Sequence, residues 1–465
     1  MAEPSLKKRI WGWFFFDWAS QPYHTVLLTF VFGPFFAQIA TDLYLSNGLE
    51  EQAARAQAQT TWSFCLTVAG LIVGFGGPVM NALADTTGRR MPWIVFFAAL
   101  YIVGASALWG TNPDGSNLTF GLMAFALGFI GAEFALIFIN AQLPGLGSKA
   151  EIGRISGSGF AFGYLGGFIA LIFVLAFLVE QPSGKTLVEV DPIFGLDAST
   201  REGTRAVGPF VAIWFALFMV PYFLWVREVR ERRGPASFVI AFQRLTTSIG
   251  SVMRRPSMAS FLGGSMLYRD ALNGLYGFGG TYAYLVLEWE VAEVGAFGIV
   301  TILAGVVLSW LGGRLDGHIG PKPVIVGAAL GLMVTCALLA GMSRTSFFGA
   351  PLAETSTLPD TTFMICGIAI GGLGGILQAA SRSLMVRHAD LAAPTESFAL
   401  YGLSGRATSF LAPALIGVVT AATGNARFGV LPLIVLFLLG LLLLRWTHPE
   451  GDRAEPWSET SSTPY

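Results

Sequence analysis

The chain has 465 residues, of which 54% are hydrophobic and 12% charged, with a formal net charge of -1. A water-soluble globular protein carries roughly a quarter charged residues, so this composition points to lipid as the solvent, and the balanced charge makes no case for nucleic acid as a partner. The apolar residues gather in blocks of about twenty or more, long enough to cross a hydrocarbon core of about 30 Å as helix.

In chain order, spans are expected near 12–40, 61–84, 92–111, 118–145, 155–180, 207–226, 258–287, 294–313, 324–343, 361–386, 397–423 and 428–447, twelve in all. Pro22 and Pro34 predict a kink in the first. That block is longer than a signal-peptide core and reads as a retained helix. Lys and Arg accumulate in cytoplasmic loops. Lys7, Lys8, Arg9, Arg89, Arg90, Lys149, Arg154, Arg314, Lys322, Arg387, Arg445 and Arg453 fall on one side, against Arg55, Lys185, Arg201, Arg205, Arg344 and Arg427 on the other. Both termini are therefore expected to be cytoplasmic.

Between the sixth and seventh spans, Phe238, Phe242, Leu245, Ile249 and Val252 form one apolar helical stripe beside Arg244, Arg254 and Arg255. This predicts an amphipathic helix lying on the membrane surface. The expected organisation is a six-helix bundle over 1–226, a cytoplasmic linker over 227–256, a second six-helix bundle over 257–447 and a disordered tail over 448–465. Cys65, Cys336 and Cys366 lie within spans and His24, His318, His388 and His448 are scattered, so neither a disulfide framework nor a metal or other cofactor is expected.

The chain repeats itself. "NALADTTGRRMP" (81–92) answers to "GGRLDGHIGPKP" (312–323), "SGFAFGYLGG" (158–167) to "SGRATSFLAP" (404–413), and "DWASQPY" (17–23) to "DALNGLY" (270–276). The third pair sets Asp17 opposite Asp270 and Tyr23 opposite Tyr276. The second places Arg406 where the first copy has Phe160, an asymmetry that makes Arg406 a candidate for a carboxylate or phosphate. Duplicated bundles with a site between them are a transporter architecture.

The loop with Asp85, Gly88, Arg89 and Arg90 resembles the signature loop of the major facilitator superfamily, and Asp316, Gly320 and Lys322 form a looser second copy. The alternative reading of both is a polar turn carrying positive-inside charge. Together with "NAQLP" (140–144), "LYRDALNGLYGFGGTYA" (267–283), "ASRSLM" (380–385) and "FALYGLSGRATSFLAP" (398–413), the repeated segments resemble the vacuole-effluxer-like branch of that superfamily. That branch contains fungal vacuolar amino-acid effluxers and bacterial relatives. The resemblance implies an all-α membrane protein with twelve transmembrane helices in two pseudo-symmetric bundles, amino-acid transport, and a bacterial cytoplasmic membrane. Where the branch has D-x-A-N-S in the first helix, this chain has Asp17, Ala19, Ser20, Gln21 and Pro22, and where it has D-G in the seventh, this chain has Asp270 and Ala271.

Charges at the centre of an inserting helix cost about 2.5–3.5 kcal/mol each and face a bundle interior or a cavity. Asp17, Glu133, Arg269, Asp270, Arg382 and Arg406 fall within spans, three acids against three bases. They read either as paired charges that lock helices together or as a working site in which Asp17, Glu133 and Asp270 carry protons. Arg406, with Gln21, Tyr23, Asn140, Asn273, Tyr276 and Gln378, is expected to line a central cavity as a substrate contact. His24 reads as an isolated polar residue. The expected function is gradient-driven export or exchange of a small polar solute by a monomer in lipid, and an assembly factor or receptor on the same fold is the alternative. No nucleotide-binding signature or nucleophile-base arrangement suggests an enzyme.

Overall fold

The computed structural model describes residues 4–87, 90–140, 142–147, 149–226, 250, 252–353, 355–388 and 394–451. The first span, Leu6–Ser46, begins as α-helix and passes through a π-helical stretch over Tyr23–Phe30 before resuming as α-helix at Phe32. The predicted kink is this change of winding. Pro22 has no N–H to give the ladder, and the turn that follows closes with the wider bond from Val31 N–H to the Val26 carbonyl, 2.9 Å.

Glu51–Thr87, Met91–Ala107, Leu118–Asn140, Lys149–Phe177 and Glu202–Phe218 with Val220–Trp225 complete the first bundle. Pro256–Leu287, Val291–Ile319, Pro321–Gly341, Leu358–His388, Pro394–Ala407 with Leu411–Thr423, and Leu431–Leu444 form the second. Ten segments among the described residues are long and apolar enough to cross a membrane. The fifth span adds an apolar stretch over Ala161–Phe177, and the seventh is helical throughout but diluted by glycines, tyrosines and the pair Arg269 and Asp270.

The second span starts ten residues before its expected boundary, at Glu51. Its first turns, EQAARAQAQ, are polar but made of strong helix formers, which apolarity alone does not register. Prolines in the first turn start the third, seventh, ninth and twelfth helices. Glu290 and Glu293 form a capping box at the head of the eighth. Gly320, at φ +85°, turns the chain between the eighth and ninth spans, a conformation that disfavours any side chain.

The linker stripe over 238–249 and residues 452–465 lie outside the described residues. The tail is not loose from its start: His448 N–H donates to Ser257 Oγ at 2.8 Å, and Arg387 pairs with Glu450 at 2.8 Å. Disorder from residue 448 onward is thereby corrected for 448–451. A two-stranded hairpin, β1 Ser346–Phe347 and β2 Ala350–Pro351, follows the ninth span.

Candidate functional site

In an α-helix, positions i, i+4 and i+7 share a face. Asp17, Gln21 and His24 have that spacing in the first span, and all three are partly exposed within a stretch whose other faces hold the buried Phe16, Ala19, Ser20 and Tyr23. Tyr23 points the other way. It is fully buried, its hydroxyl donates to the Phe125 carbonyl at 2.6 Å, and its ring meets Tyr101 edge-on at 4.9 Å. Its expected place as a substrate contact is corrected, because its polar group is already satisfied inside the first bundle.

The seventh span presents Arg269, Asn273 and Tyr276 at the same spacing, with Arg269 and Tyr276 partly exposed and Asn273 exposed. Two contacts fix how the copies correspond. A Cβ on Gly159 of the fifth span would lie 3.0 Å from Asp17 Oδ2, and one on Gly405, its counterpart in the eleventh, 2.5 Å from the Arg269 guanidinium. A Cβ on Gly166 would lie 2.7 Å from the Trp18 carbonyl, while the N–H of its counterpart Ala412 donates to Asp270 Oδ2 at 3.0 Å. Arg269 therefore stands opposite Asp17, and Asp270 opposite Trp18. The alignment of Asp17 with Asp270 is one residue out of register, and that slip turns the second aspartate to a different face.

Asp270 is fully buried, its Oδ1 has no hydrogen-bond partner among the described residues, and its Oδ2 caps the helix that restarts at Leu411 after the break in the eleventh span. A carboxylate suits a helix N-terminus. Arg269 instead donates from Nη1 to the Tyr401 carbonyl at 3.0 Å and stacks on the Tyr401 ring at 4.3 Å.

The remaining charges meet across the two bundles. Arg406 donates to both the carboxylate and, at 3.0 Å, the main-chain carbonyl of Glu133. His24 Nε2 lies 3.5 Å from the other Glu133 oxygen. The Glu133 side chain is 14% exposed, Arg406 20% and His24 27%, so the cluster borders open space between the bundles. Asp17 of the first bundle lies within electrostatic reach of Arg382 of the second. Gln378 is within hydrogen-bond reach of Tyr164 on one side and Tyr276 on the other. Gln21 reaches Thr25 Oγ1 at 3.4 Å. Asn140 is exposed at the terminal residue of the fourth helix.

At the end of the bundles opposite Leu6 and Leu444, the halves are fastened together. Gln59 Nε2 donates to Thr420 Oγ1 at 2.8 Å and to the Ala426 carbonyl at 3.0 Å. Arg55 reaches the Leu285 carbonyl at 2.9 Å and Glu288 at 3.1 Å. Gly280 packs against the Thr29 carbonyl so closely that no side chain fits.

In the first signature loop, Gly88 and Arg89 and the Asp85 side chain lie outside the described residues, and Arg90 begins the third helix. In the second copy Lys322 donates to the Thr447 carbonyl at 2.7 Å and the Arg445 carbonyl at 3.2 Å, tying down the end of the twelfth span. The Asp316 carbonyl accepts from Gly320 N–H, closing the turn, while its Oδ1 is buried without a partner among the described residues.

Sequence reasoning missed the His24 contact and the parts played by Tyr164 and Tyr401. The signal for His24 was its spacing from Asp17 and Gln21. Nothing in the sequence separated Tyr401 from the other aromatic residues of its helix.

Two helical bundles joined across a seam of paired charges define a membrane transporter of the major facilitator type, and the comparisons with known proteins agree. The chain belongs to the family described as vacuole effluxer Atg22 like, which it matches over residues 5–455. It is 23% identical over 448 residues to the uncharacterized MFS-type transporter YxiO of Bacillus subtilis, covering 94% of both chains. It is 25% identical over 293 residues to autophagy-related protein 22 of Cryptococcus neoformans, a match spanning 58% of this chain and 49% of the fungal protein. Among solved structures, a D-xylose-proton symporter superposes with a TM-score of 0.64 at 11% identity, over 96% of this chain and 98% of that one. The nucleoside transporter NupG gives 0.61 at 12%, over 96% and 100%. These two show the fold alone. The Bacillus relative is named as an MFS-type transporter, and the two solved structures are a symporter and a transporter.

Proposed function

We propose that the protein is a secondary transporter that exports or exchanges a small polar solute by alternating access, the bundles rocking about the seam. The observation that carries this reading is the ion pair that Glu133 and Arg406 make across the bundles, with Asp17 within electrostatic reach of Arg382 and Tyr164 within hydrogen-bond reach of Gln378 beside it. Charges that served only to lock one bundle would pair within it. A bundle that moves away takes its counter-charge with it, and a proton is the simplest replacement, so Asp17 and Glu133 are the coupling groups. Asp270 is reassigned to holding the eleventh span.

With the ends near Asp316, Lys322 and Arg445 placed in the cytoplasm by their basic loops, the fastened end faces outward. The structure is then the inward-facing or occluded form of a protein in a bacterial cytoplasmic membrane, working as a monomer. Amino acids are the first solute class to try, supported by family membership. Counterflow of a labelled amino-acid panel into preloaded liposomes tests the reading without assuming a coupling ion. Accumulation of one label above protein-free liposomes is expected. Folded protein that accumulates none of a panel widened to organic anions, sugars and nucleosides overturns it in favour of an assembly factor or receptor.

A further inference from the structure

Arg269 lies near the middle of the 32-residue seventh span, where an uncompensated charge is costly. The other two arginines of the seam have acids: Arg406 has Glu133, and Arg382 has Asp17 within reach. Arg269 has no carboxylate partner among the described residues. Its neighbour Asp270 is turned to Ala412, and its contacts are the carbonyl and ring of Tyr401. Tyr401 is itself stacked on Phe261, with ring centroids 5.9 Å apart and planes 8° from parallel, and Phe261 stacks on His388. Gly405 closes the other side. The guanidinium is thus held on one face and one edge, while Arg269 remains partly exposed on the helix face that carries Asn273 and Tyr276. Arg382 is within electrostatic reach of it, so the second bundle brings two guanidinium groups near each other.

Resting on the transporter reading above, we propose that Arg269, with Asn273 one turn further along, is an oxyanion subsite that takes a carboxylate or phosphate group of the transported solute. A planar guanidinium offers two parallel N–H donors to such a group. The anion supplies the charge that the chain withholds, and Asn273 adds a neutral donor. The rest of the solute then faces Gln21, Gln378 and Tyr276.

The test uses the purified protein in liposomes and four pairs of probes: lactate and lactamide, succinate and succinamide, leucine and leucinamide, and glycerol 3-phosphate and glycerol. Exchange of at least one anion-bearing member, with its partner inert, is expected. R269Q should lower that exchange about tenfold or more, R269K should restore part of it, and N273A should lower it less. Carboxylate and phosphate probes separate the two sources of the oxyanion. Equal exchange of both members of a pair, or R269Q and N273A both within twofold of the parent, overturns the proposal. The same probes are also followed by thermal unfolding in detergent. If nothing exchanges but an anion raises the melting temperature of the parent and not of R269Q, the transporter reading fails and the subsite stands. If neither exchange nor stabilisation occurs with any anion, the subsite is overturned.

Discussion

In the first span Asp17, next to Trp13, lies against Gly159 of the fifth; in the seventh, the side chain set against Gly405 of the eleventh is Arg269. The surrounding scaffold is the same, a polar residue one turn on and another a turn beyond that, Gln21 and His24 in one copy and Asn273 and Tyr276 in the other. The charge is opposite. Duplication made the frame and substitution made the site, so the seam is symmetric in shape and asymmetric in chemistry, with a cationic wall on the second bundle. The second aspartate, one residue later, serves the fold.

Substitutions at six positions tell the two copies apart. The largest effect is expected where a charge loses its partner on the other bundle. E133Q or R406Q alone should cost on the order of 2 kcal/mol in thermal or denaturant unfolding, below the about 3–5 kcal/mol of a fully buried pair because the seam admits solvent. The E133Q/R406Q double variant should recover most of that loss, and additive losses would show that the two do not act as a pair. Next, D270A should cost about 1–3 kcal/mol by stranding the buried Ala412 N–H, while D270N, which keeps an acceptor, should regain much of it. A D270A protein as stable as the parent but unable to exchange would return Asp270 to the site.

The two tyrosines give a smaller contrast. Y23F should lose about 1 kcal/mol with its hydrogen bond to Phe125 and keep its exchange rate, whereas Y276F should keep its stability and slow exchange. Reversal of that pattern would invert the assignment of faces. The smallest effect belongs to N140A, which should stay within about 0.5 kcal/mol of the parent in stability and leave exchange untouched.

Much of this was legible in the sequence. The twelve spans follow from block length, and the duplication from three matched segments. Glu133, Arg382 and Arg406 stood out because charge inside an apolar block needs a reason. Register was not legible. "DWASQPY" and "DALNGLY" align best by matching their aspartates, but packing is decided by which backbone atoms approach Gly159 and Gly405, and a one-residue slip costs the alignment little while rotating every side chain by about 100°. Tyr23 misled for the same reason. Residue type says that a tyrosine needs a partner, not that the partner is the Phe125 carbonyl of its own bundle. His24 was passed over because a single histidine carries no pattern until its helix face is drawn.

In the proposed transport cycle the bundles must separate at their fastened end for solute to pass. A Cβ on Gly417 of the eleventh span would lie 3.0 Å from the Cβ of buried Ser63 in the second. That is near the roughly 3.5–4.5 Å that a disulfide spans. With Cys65, Cys336 and Cys366 replaced, S63C/G417C should cross-link under mild oxidation. The cross-linked protein should stop exchanging solute across liposomes and resume when the bond is reduced. Full exchange through a quantitatively cross-linked protein would contradict it.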